Sequence, residues 1–195
     1  MEKQNIDNNL CVGPMTQTIL GTHINGRPNF MALAWINRVN YKPPMLGIGV
    51  NKGNQSHDAI LDTGEFSVNV PTVHMVEITD YTGLVSGKRV DKSDLFEVFY
   101  GELKSAPMIA ECPLTMACKL VETVDLPTNY LFIGEIVGAY SEERFLSDGI
   151  PDIEKMNPFM LTMPDNRFWS LGECVGRAWR DGKAIRERLK QEQQS

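Results

Sequence analysis

The amino-acid sequence predicts a mainly β, antiparallel fold with short helices at its periphery. Three observations favour this class: short apolar runs recur along the chain, turn residues such as Asn25-Gly26 separate them, and a long paired stretch extends from Leu114 to Tyr140. With 195 residues, of which 42% are apolar, the chain can build one sizeable core without the help of disulfides or metal.

The first half of the chain predicts short strands that are joined by turns. Asn25-Gly26 is typical of a tight hairpin turn between two strands. Pro43-Pro44 forbids a helix before residue 45, and the run over 45–50 is apolar on both faces, as in a buried strand. The predicted elements are, in order, a strand over 16–23, a strand-like run over 29–39, a strand over 45–50, a helix that starts at Asn54 or Ser56 and stops near Gly64, a strand over 65–70 and a helix over 73–84.

The second half predicts a long hairpin and a short final pair of strands. One buried face of the hairpin is indicated by apolar residues at period two, namely Leu114, Met116, Cys118, Leu120, Val124 and Leu126. Glycines at 134 and 138 predict a bend or the close approach of another backbone. After an acidic excursion over 141–157, strands are expected over 159–163 and 167–171.

These elements predict one domain over 1–180, followed by a polar helix or tail over 181–195. The tail carries only three apolar residues, Ala184, Ile185 and Leu189, which are too few to nucleate a core. We therefore expect it to pack on a partner chain or to fray.

The charge pattern and the amino terminus argue against two kinds of partner. The net charge of -6 speaks against nucleic acid, because a phosphate backbone requires a clustered excess of Lys and Arg. Residues 1–9 are polar, and no run approaches the ~20 apolar residues of a membrane span. We expect a cytoplasmic protein that binds neither nucleic acid nor membrane.

The cysteines and histidines predict neither a metal site nor a catalytic triad. The four cysteines, at 11, 112, 118 and 174, lack the close pairing of zinc or dithiol motifs and are interpreted as reduced, mostly packing residues. The three histidines, at 23, 57 and 74, lie outside any nucleophile or His-Glu-x-x-His pattern. His23 and His74 are assigned structural or surface roles.

The stretch over 29–57 carries the strongest functional pattern. Its first part combines small residues with Asn29 and Asn37, so that backbone and amide groups could meet the edges of a flat aromatic ligand. On pattern alone, a hydrophobic strand with incidental asparagines explains that part better. In its last part a strand ends at Lys52-Gly53 just before a helix start, where a cation and unpaired backbone N–H groups favour an anion.

This stretch resembles the flavin reductase-like family, which includes the flavoredoxins. The resemblance covers nearly the full chain, and its further segments are Gly64-Glu65-Phe66-Ser67-Val68-Asn69-Val70-Pro71, Thr82-Gly83-Leu84-Val85-Ser86-Gly87-Lys88 and Leu171-Gly172-Glu173-Cys174-Val175-Gly176-Arg177. It implies an antiparallel Greek-key FMN-binding split β-barrel of about six strands with short peripheral helices. It also implies a homodimer.

The resemblance implies a set of residues that bind FMN. The isoalloxazine ring is assigned to Asn29, Met31, Ala32, Trp35 and Asn37, with the backbone of Val70 and Pro71 bordering it. The phosphate is assigned to Lys52, Gly53, Asn54, Ser56 and His57, and to Gly83, Ser86, Gly87 and Lys88 from a later loop.

Two of these assignments stay open, and so does the role of Arg177. His57 is a phosphate ligand, a cap or an exposed residue, and Lys88 with Arg89 is equally well explained as a solvated surface pair. The segment around Gly83 and Lys88 is not a nucleoside-triphosphate loop, since only three residues separate its glycines and Arg89 replaces the magnesium-binding Ser or Thr. Late in the chain, Trp169, Gly172, Glu173 and Arg177 match the family's closing segment, although a salt bridge explains Arg177 better than a cofactor contact does.

The implied function is that of an NAD(P)H-dependent flavin reductase that passes electrons from FMN to free flavin, a ferric chelate or a protein. The flavin supplies its own reactive atom, so no catalytic residue is assigned. The alternative is a flavoredoxin-like electron carrier that keeps FMN tightly bound and receives electrons from a redox-protein partner. A flavin-binding module without turnover is a third hypothesis. FMN is preferred over FAD, and the sequence does not choose between NADH and NADPH.

Overall fold

The fold was analysed in a computed structural model that describes residues 1–8 and 13–192. Within these ranges the strands are β1 (Met15–Thr16), β2 (Thr18–Ile24), β3 (Arg27–Leu33), β4 (Ile36–Asn40), β5 (Met45–Asn51), β6 (Glu65–Val70), β7 (Val98–Phe99), β8 (Met108–Ile109), β9 (Leu114–Asp125), β10 (Asn129–Tyr140), β11 (Leu146–Ser147), β12 (Ile150–Pro151), β13 (Phe159–Thr162) and β14 (Arg167–Ser170). The helices are α1 (Ser56–Thr63), α2 (Val76–Leu84), α3 (Ile153–Met156) and α4 (Lys183–Glu192), with 3-10 turns at Val73–Met75 and Glu143–Phe145.

A seven-stranded antiparallel sheet forms the body of the molecule, in the order β3-β2-β6-β9-β10-β5-β4. Its two edge strands, β3 and β4, are joined by only two residues, Ala34 and Trp35. Because so short a connection holds the two edges together, the sheet must curl round on itself. The predicted mainly β, antiparallel class with short helices is confirmed, and the sheet has one strand more than the six expected.

The interior of the curled sheet holds the main core. Leu20, Ile48, Phe66 and Phe132 are fully buried there. β10 shifts its register against β9 at Ile133/Gly134 and again at Ile136/Gly138, which confirms the bends predicted at the two glycines. A Cβ on Gly134 would lie 2.5 Å from the Phe66 ring, so the strand approaches the core closely at this point.

Several predicted element boundaries are confirmed. β6 has the predicted bounds, and α1 starts at Ser56. Gly64 ends α1 with a positive φ of 65°, a conformation that glycine adopts without steric strain, and its N–H bonds to the Ile60 carbonyl.

Two predictions need correction. The strand-like run over 29–39 is not continuous, because the chain leaves one sheet edge after Leu33 and joins the other at Ile36, while the Trp35 carbonyl accepts the Gly49 N–H. The prediction of one buried face on β9 is also only partly right. Thr115 and Ala117, on the opposite face, are buried, and Ala117 belongs to a cluster with Met108 of β8, whereas Val124 at the far end is exposed.

The carboxyl-terminal segment lies apart from the core. Every described residue from 171 to 192 is exposed, and α4 buries no residue. Val175 and Trp179 expose essentially their whole side chains, at 101% and 96%.

Among the described residues, no helix combines the length and the apolar character needed to cross a membrane.

Candidate functional site

An open groove of about 410 Å³ runs along the line where the sheet edges meet. It is lined by Gln17, Met31, Ala32, Leu33, Ala34, Trp35, Gly49, Asn51, Asn54, Asp80, Asn129, Leu161, Asn166 and Phe168. One wall of the groove is formed by the small residues Ala32, Ala34 and Gly49. At Gly49 there is little room for a side chain, because a Cβ there would lie 3.3 Å from the Trp35 ring. Amide side chains and main-chain groups lie around these small residues, which suits a flat ligand with polar edges.

A second, more enclosed cavity of about 120 Å³ lies between the start of α1 and the end of α2. It is lined by Met31, Asn54, Gln55, Ser56, Thr82, Gly83, Leu84, Val85, Ser86, Gly87 and Lys92. Met31 and Asn54 line both spaces, so the enclosed cavity adjoins the open groove.

Polar groups at the start of α1 point to an anion in the enclosed cavity. The first backbone N–H groups of a helix have no intrahelical acceptor, and no side chain caps α1. The Gln55 Oε1 atom is buried and finds no hydrogen-bond partner within the described chain. Because the two ends of a side-chain amide are nearly isosteric, a half turn would bring two N–H donors to the same place.

The loop over 86–88 rests directly on Asn29, whose side chain is buried. The Asn29 Nδ2 group donates to Ser56 Oγ at 3.3 Å and to Thr22 Oγ1 at 3.4 Å. A Cβ on Gly87 would lie 2.5 Å from Asn29 Oδ1 and 3.3 Å from Gln55 Oε1. Only glycine therefore allows this loop to close over the start of α1.

Lys92 is a buried lysine in the wall of the enclosed cavity, with 3% of its surface exposed. Its Nζ donates to the carbonyls of Thr82 and Val85, both at 3.1 Å. Burial lowers its pKa to about 8. No pattern in the sequence could have found this residue, because Asp91-Lys92-Ser93-Asp94 has the composition of a solvated loop.

A third cavity, of about 430 Å³, lies on the outer side of the same loop and is lined by Asn29, Gly87 and Lys92 as well as by basic residues. Its cations are Arg27, Lys88, Arg89 and Lys92, and its one carboxylate among the described lining residues, Asp91, pairs with Arg27 at 2.7 Å. This outer cavity therefore carries a net positive charge on a chain whose overall charge is -6.

The structure thus brings together most of the predicted ligand residues. Met31, Ala32, Trp35 and Asn54 line the open groove. Asn54, Ser56, Gly83, Ser86 and Gly87 line the enclosed cavity, while Asn29 and Lys88 border the outer one. Gly53 connects the two loops, since its carbonyl accepts a hydrogen bond from Lys88 Nζ at 3.2 Å.

Lys52 and His57 lie outside both inner spaces. Lys52 Nζ forms an ion pair with Asp125 and lies 4.9 Å from the centre of the Tyr130 ring. His57 stacks on the same tyrosine, pairs with Asp58 at 2.9 Å and bonds to the Asn54 carbonyl through its Nδ1. Neither side chain lines the enclosed cavity, although His57 bonds to the carbonyl of Asn54, which does line it.

Three other predicted ring contacts do not line the groove. Asn37 is exposed, accepts the Arg38 N–H at 2.8 Å and lines a surface pocket that adjoins the groove, since Ala34, Trp35 and Gly49 line both. Val70 and Pro71 are buried and line neither inner space. The groove instead gains Asn51, Asn129 and Asn166, which lie far apart in the sequence.

None of the described cysteines lines these spaces. Cys112 and Cys118 are buried, which raises the pKa of both thiols and keeps them protonated, in the case of Cys118 to about 12. Cys174 is exposed, and Cys11 lies outside the described residues. Among residues 1–8 and 13–192, no group of three or more His, Cys, Asp or Glu side chains is placed to hold a metal ion.

The curled antiparallel sheet, with a groove where its two edges meet, is the architecture of a split-barrel protein. The chain matches the model of the flavin reductase like domain over residues 14–150. It belongs to the flavin reductase-like family, to which the flavoredoxins also belong.

Two solved structures and one further relative are similar to this chain in fold or in sequence. The flavoredoxin from Methanosarcina acetivorans is 56% identical, with a TM-score of 0.94 over 95% of this chain and 100% of that one. The flavoredoxin of Desulfovibrio vulgaris (Miyazaki F) is 30% identical, with a TM-score of 0.85 over 93% and 100%. A ferric-chelate reductase (NAD(P)H) of Archaeoglobus fulgidus is 25% identical over 62% of this chain and 72% of its own length. The predicted family and fold are confirmed.

Proposed function

We propose that this protein binds FMN and uses it to transfer electrons. The observation that carries this proposal is the junction of an open groove with an enclosed polar cavity, which share Met31 and Asn54. A flat ring fits the groove, and a phosphate fits the cavity at its end. When bound, the flavin supplies the redox chemistry, and the chain supplies position and electrostatics.

The residues of the enclosed cavity suit a phosphate dianion. The start of α1 offers backbone N–H groups, Ser56 and Ser86 offer hydroxyls, and Lys92 offers a cation. FMN should therefore bind at least tenfold more tightly than riboflavin, which has the same ring and no phosphate. Titration of the flavin-free protein with each ligand, followed by the quenching of flavin fluorescence, tests this, and equal affinities would contradict it.

The groove favours an electron carrier of the flavoredoxin type that receives its electrons from a redox protein. Of the described residues that line the groove, only the acidic Asp80 is ionisable, so nothing there neutralises the diphosphate of a nicotinamide dinucleotide. The similarity to two flavoredoxins supports the same proposal. The carrier hypothesis predicts that bound FMN stays oxidised in the presence of NADH or NADPH, without oxygen, until a reductase is added.

A second candidate, an NAD(P)H-dependent reductase, is favoured by the basic outer cavity. Arg27, Lys88 and Arg89 could hold the phosphates of a dinucleotide beside the flavin site, and one relative is a ferric-chelate reductase (NAD(P)H). Under this hypothesis NADH or NADPH alone bleaches the yellow protein within seconds. The same anaerobic experiment thus separates the two candidates, and no spectral change with either treatment would leave only a flavin-binding module.

We also propose a homodimer in the cytoplasm. Val175 and Trp179 are almost wholly exposed, and Leu171 and Trp169 nearby are about half exposed, so a second copy could bury an apolar surface here. Arg177 lies in this exposed segment, where its backbone N–H donates to Asp181 Oδ2 at 2.7 Å and its backbone carbonyl accepts from the N–H groups of Arg180 and Asp181. Sedimentation analysis of the wild type and of Trp179→Ser should show a dimer and a weakened dimer, whereas a monomeric wild type would refute the proposal.

A further inference from the structure

A further cavity, of about 460 Å³, is formed where the β7–β8 pair meets the start of β9 and the end of β10. None of its described lining residues lines the open groove, the enclosed cavity or the outer cavity. Its volume lies within the range of about 300–1,000 Å³ that is usual for small-molecule sites. Because three of its lining residues are glutamates, we call it the acidic cavity.

The rim of the acidic cavity carries two carboxylates without a cationic partner. Glu97, Glu111 and Glu142 are exposed there, and the one cation among the described lining residues, Arg144, pairs with Glu142 at 2.7 Å. Glu97 and Glu111 form no ion pair within residues 1–8 and 13–192. They lie close together, since Glu111 Oε1 accepts the backbone N–H of Glu97 at 3.3 Å. This rim favours a cation.

The wall of the acidic cavity is largely apolar. The rings of Phe99 and Tyr140 pack edge to face, with their centres 5.8 Å apart and their planes at 87°. Buried Cys112 adds a neutral thiol, because burial and then the charge of Glu111 raise its pKa and keep it protonated. Aromatic rings attract organic cations and cover an apolar body, so the wall favours a cation with a hydrocarbon part.

The base of the acidic cavity holds a hydroxyl group without a partner. Thr115 is 1% exposed, and its Oγ1 forms no hydrogen bond with any described residue. Its side chain lies on the same face of β9 as that of Ala117, two residues further along the strand. Ala117 belongs to a cluster with Phe99 and Tyr140, so this face of β9 is the one that meets the two rings of the cavity wall. A buried polar group without a partner is costly, and a ligand with a polar group would supply one.

We propose that the acidic cavity binds a small organic cation, namely a primary amine whose apolar body carries a hydroxyl at the end remote from the ammonium. Glu97 and Glu111 hold the ammonium at the rim, and the two rings of the wall cover the body. Thr115 Oγ1 bonds to the ligand's hydroxyl at the base. A metal ion suits the site less well, because no group of three His, Cys, Asp or Glu side chains among the described residues is placed to hold one. The proposal is independent of the flavin site.

The experiment uses three probes with the same phenol ring in calorimetric titrations of the full chain at pH 7. Tyramine carries an ammonium, tyrosol carries a neutral hydroxyl in its place, and para-hydroxyphenylacetate carries a carboxylate. We expect tyramine to bind at least about tenfold more tightly than tyrosol, because a hydrogen bond to a charged group is the stronger one. The carboxylate should not bind. Equal affinities for tyramine and tyrosol would overturn the inference.

The salt dependence checks that charge carries the preference. Raising the salt concentration from about 0.01 M to about 1 M shortens the screening length from about 30 Å to about 3 Å. Since Glu97 and Glu111 are exposed, tyramine should lose most of its advantage over tyrosol at the higher concentration. An advantage that salt leaves unchanged contradicts an ammonium held at this rim.

A double variant assigns the preference to the rim. Glu97→Gln combined with Glu111→Gln removes both charges and keeps the side-chain size, together with an oxygen at position 111 that can accept the backbone N–H of residue 97. It should reduce the preference for tyramine over tyrosol to about threefold or less. Glu122→Gln, which changes an exposed glutamate near the far end of β9, is the matched control and should retain the full preference. A preference that survives in the double variant overturns the inference.

Thr115→Val tests the base of the cavity, because it replaces the hydroxyl with a methyl group of similar size. The wild type should bind tyramine about fivefold more tightly than phenethylamine, which lacks the phenol hydroxyl, and the variant should bind the two equally. The variant should melt at or above the temperature of the wild type, since a hydroxyl without a partner contributes no stability. Equal binding of the two amines by the wild type would refute the role given to Thr115.

Discussion

Gly87→Ala should selectively weaken the binding of FMN. The added Cβ would lie 2.5 Å from Asn29 Oδ1, nearly 1 Å closer than an ordinary contact of about 3.4 Å. Asn29 cannot easily retreat, since it is buried and its amide bonds to Thr22 and Ser56. We therefore expect the loop over 86–88 to move away from the start of α1 by about 1 Å, opening the enclosed cavity.

The magnitude follows from the contacts that this movement breaks. A hydrogen bond to a charged group contributes about 1.5–3 kcal/mol, and about 1.4 kcal/mol corresponds to a tenfold change in affinity. If the loop loses one such bond to the phosphate, the affinity for FMN falls by about 10- to 100-fold. Riboflavin makes no phosphate contact, so its affinity should change by less than about threefold.

The assay is a fluorescence titration of the flavin-free variant with FMN and with riboflavin. Gly182→Ala is the matched control, because a Cβ there meets nothing within 4 Å and the residue lies in the exposed tail over 181–195. The same ratio of FMN to riboflavin affinity in Gly87→Ala as in the wild type would refute the placement of the phosphate beside this loop.

Three further changes test the fold around the site. Gly134→Ala should reduce the free energy of unfolding in urea by about 1–3 kcal/mol, because the new methyl group would lie 2.5 Å from the Phe66 ring. Gly64→Ala should cost about 1–2 kcal/mol in the same assay, since its φ of 65° is left-handed. In a Cys11→Ser background, Cys174→Ser should remove the fast reaction of the native protein with a thiol reagent, whereas the buried Cys112 and Cys118 should react only after unfolding.

Local features of the fold could be predicted from sequence, and long-range ones could not. β6 and the end of α1 at Gly64 follow from alternation and from the special conformation of glycine, which are properties of neighbouring residues. The break at Trp35 depends on how the two sheet edges meet. No pattern within the run over 29–39 contains that information.

The same distinction applies to the site. The small residues over 29–39 predicted the position of the groove, and the strand-to-helix junction over 52–56 predicted the start of α1. Each of these patterns consists of residues that are neighbours in the sequence. Whether a lysine is paired or buried depends on residues that are not its neighbours in the sequence. Lys52 pairs with Asp125, and Lys92 is buried by the end of α2 and the loop after it. A sequence shows which side chains carry charge, but which of them are buried depends on the fold.

The most direct test of the account is the uptake of FMN by the purified protein. Equilibrium dialysis at pH 7 against micromolar FMN should leave one FMN per chain bound, and the visible spectrum of the protein should be that of an oxidised flavin. A protein that stays colourless and retains no FMN under these conditions would contradict the central claim that the groove and the enclosed cavity together form a flavin site.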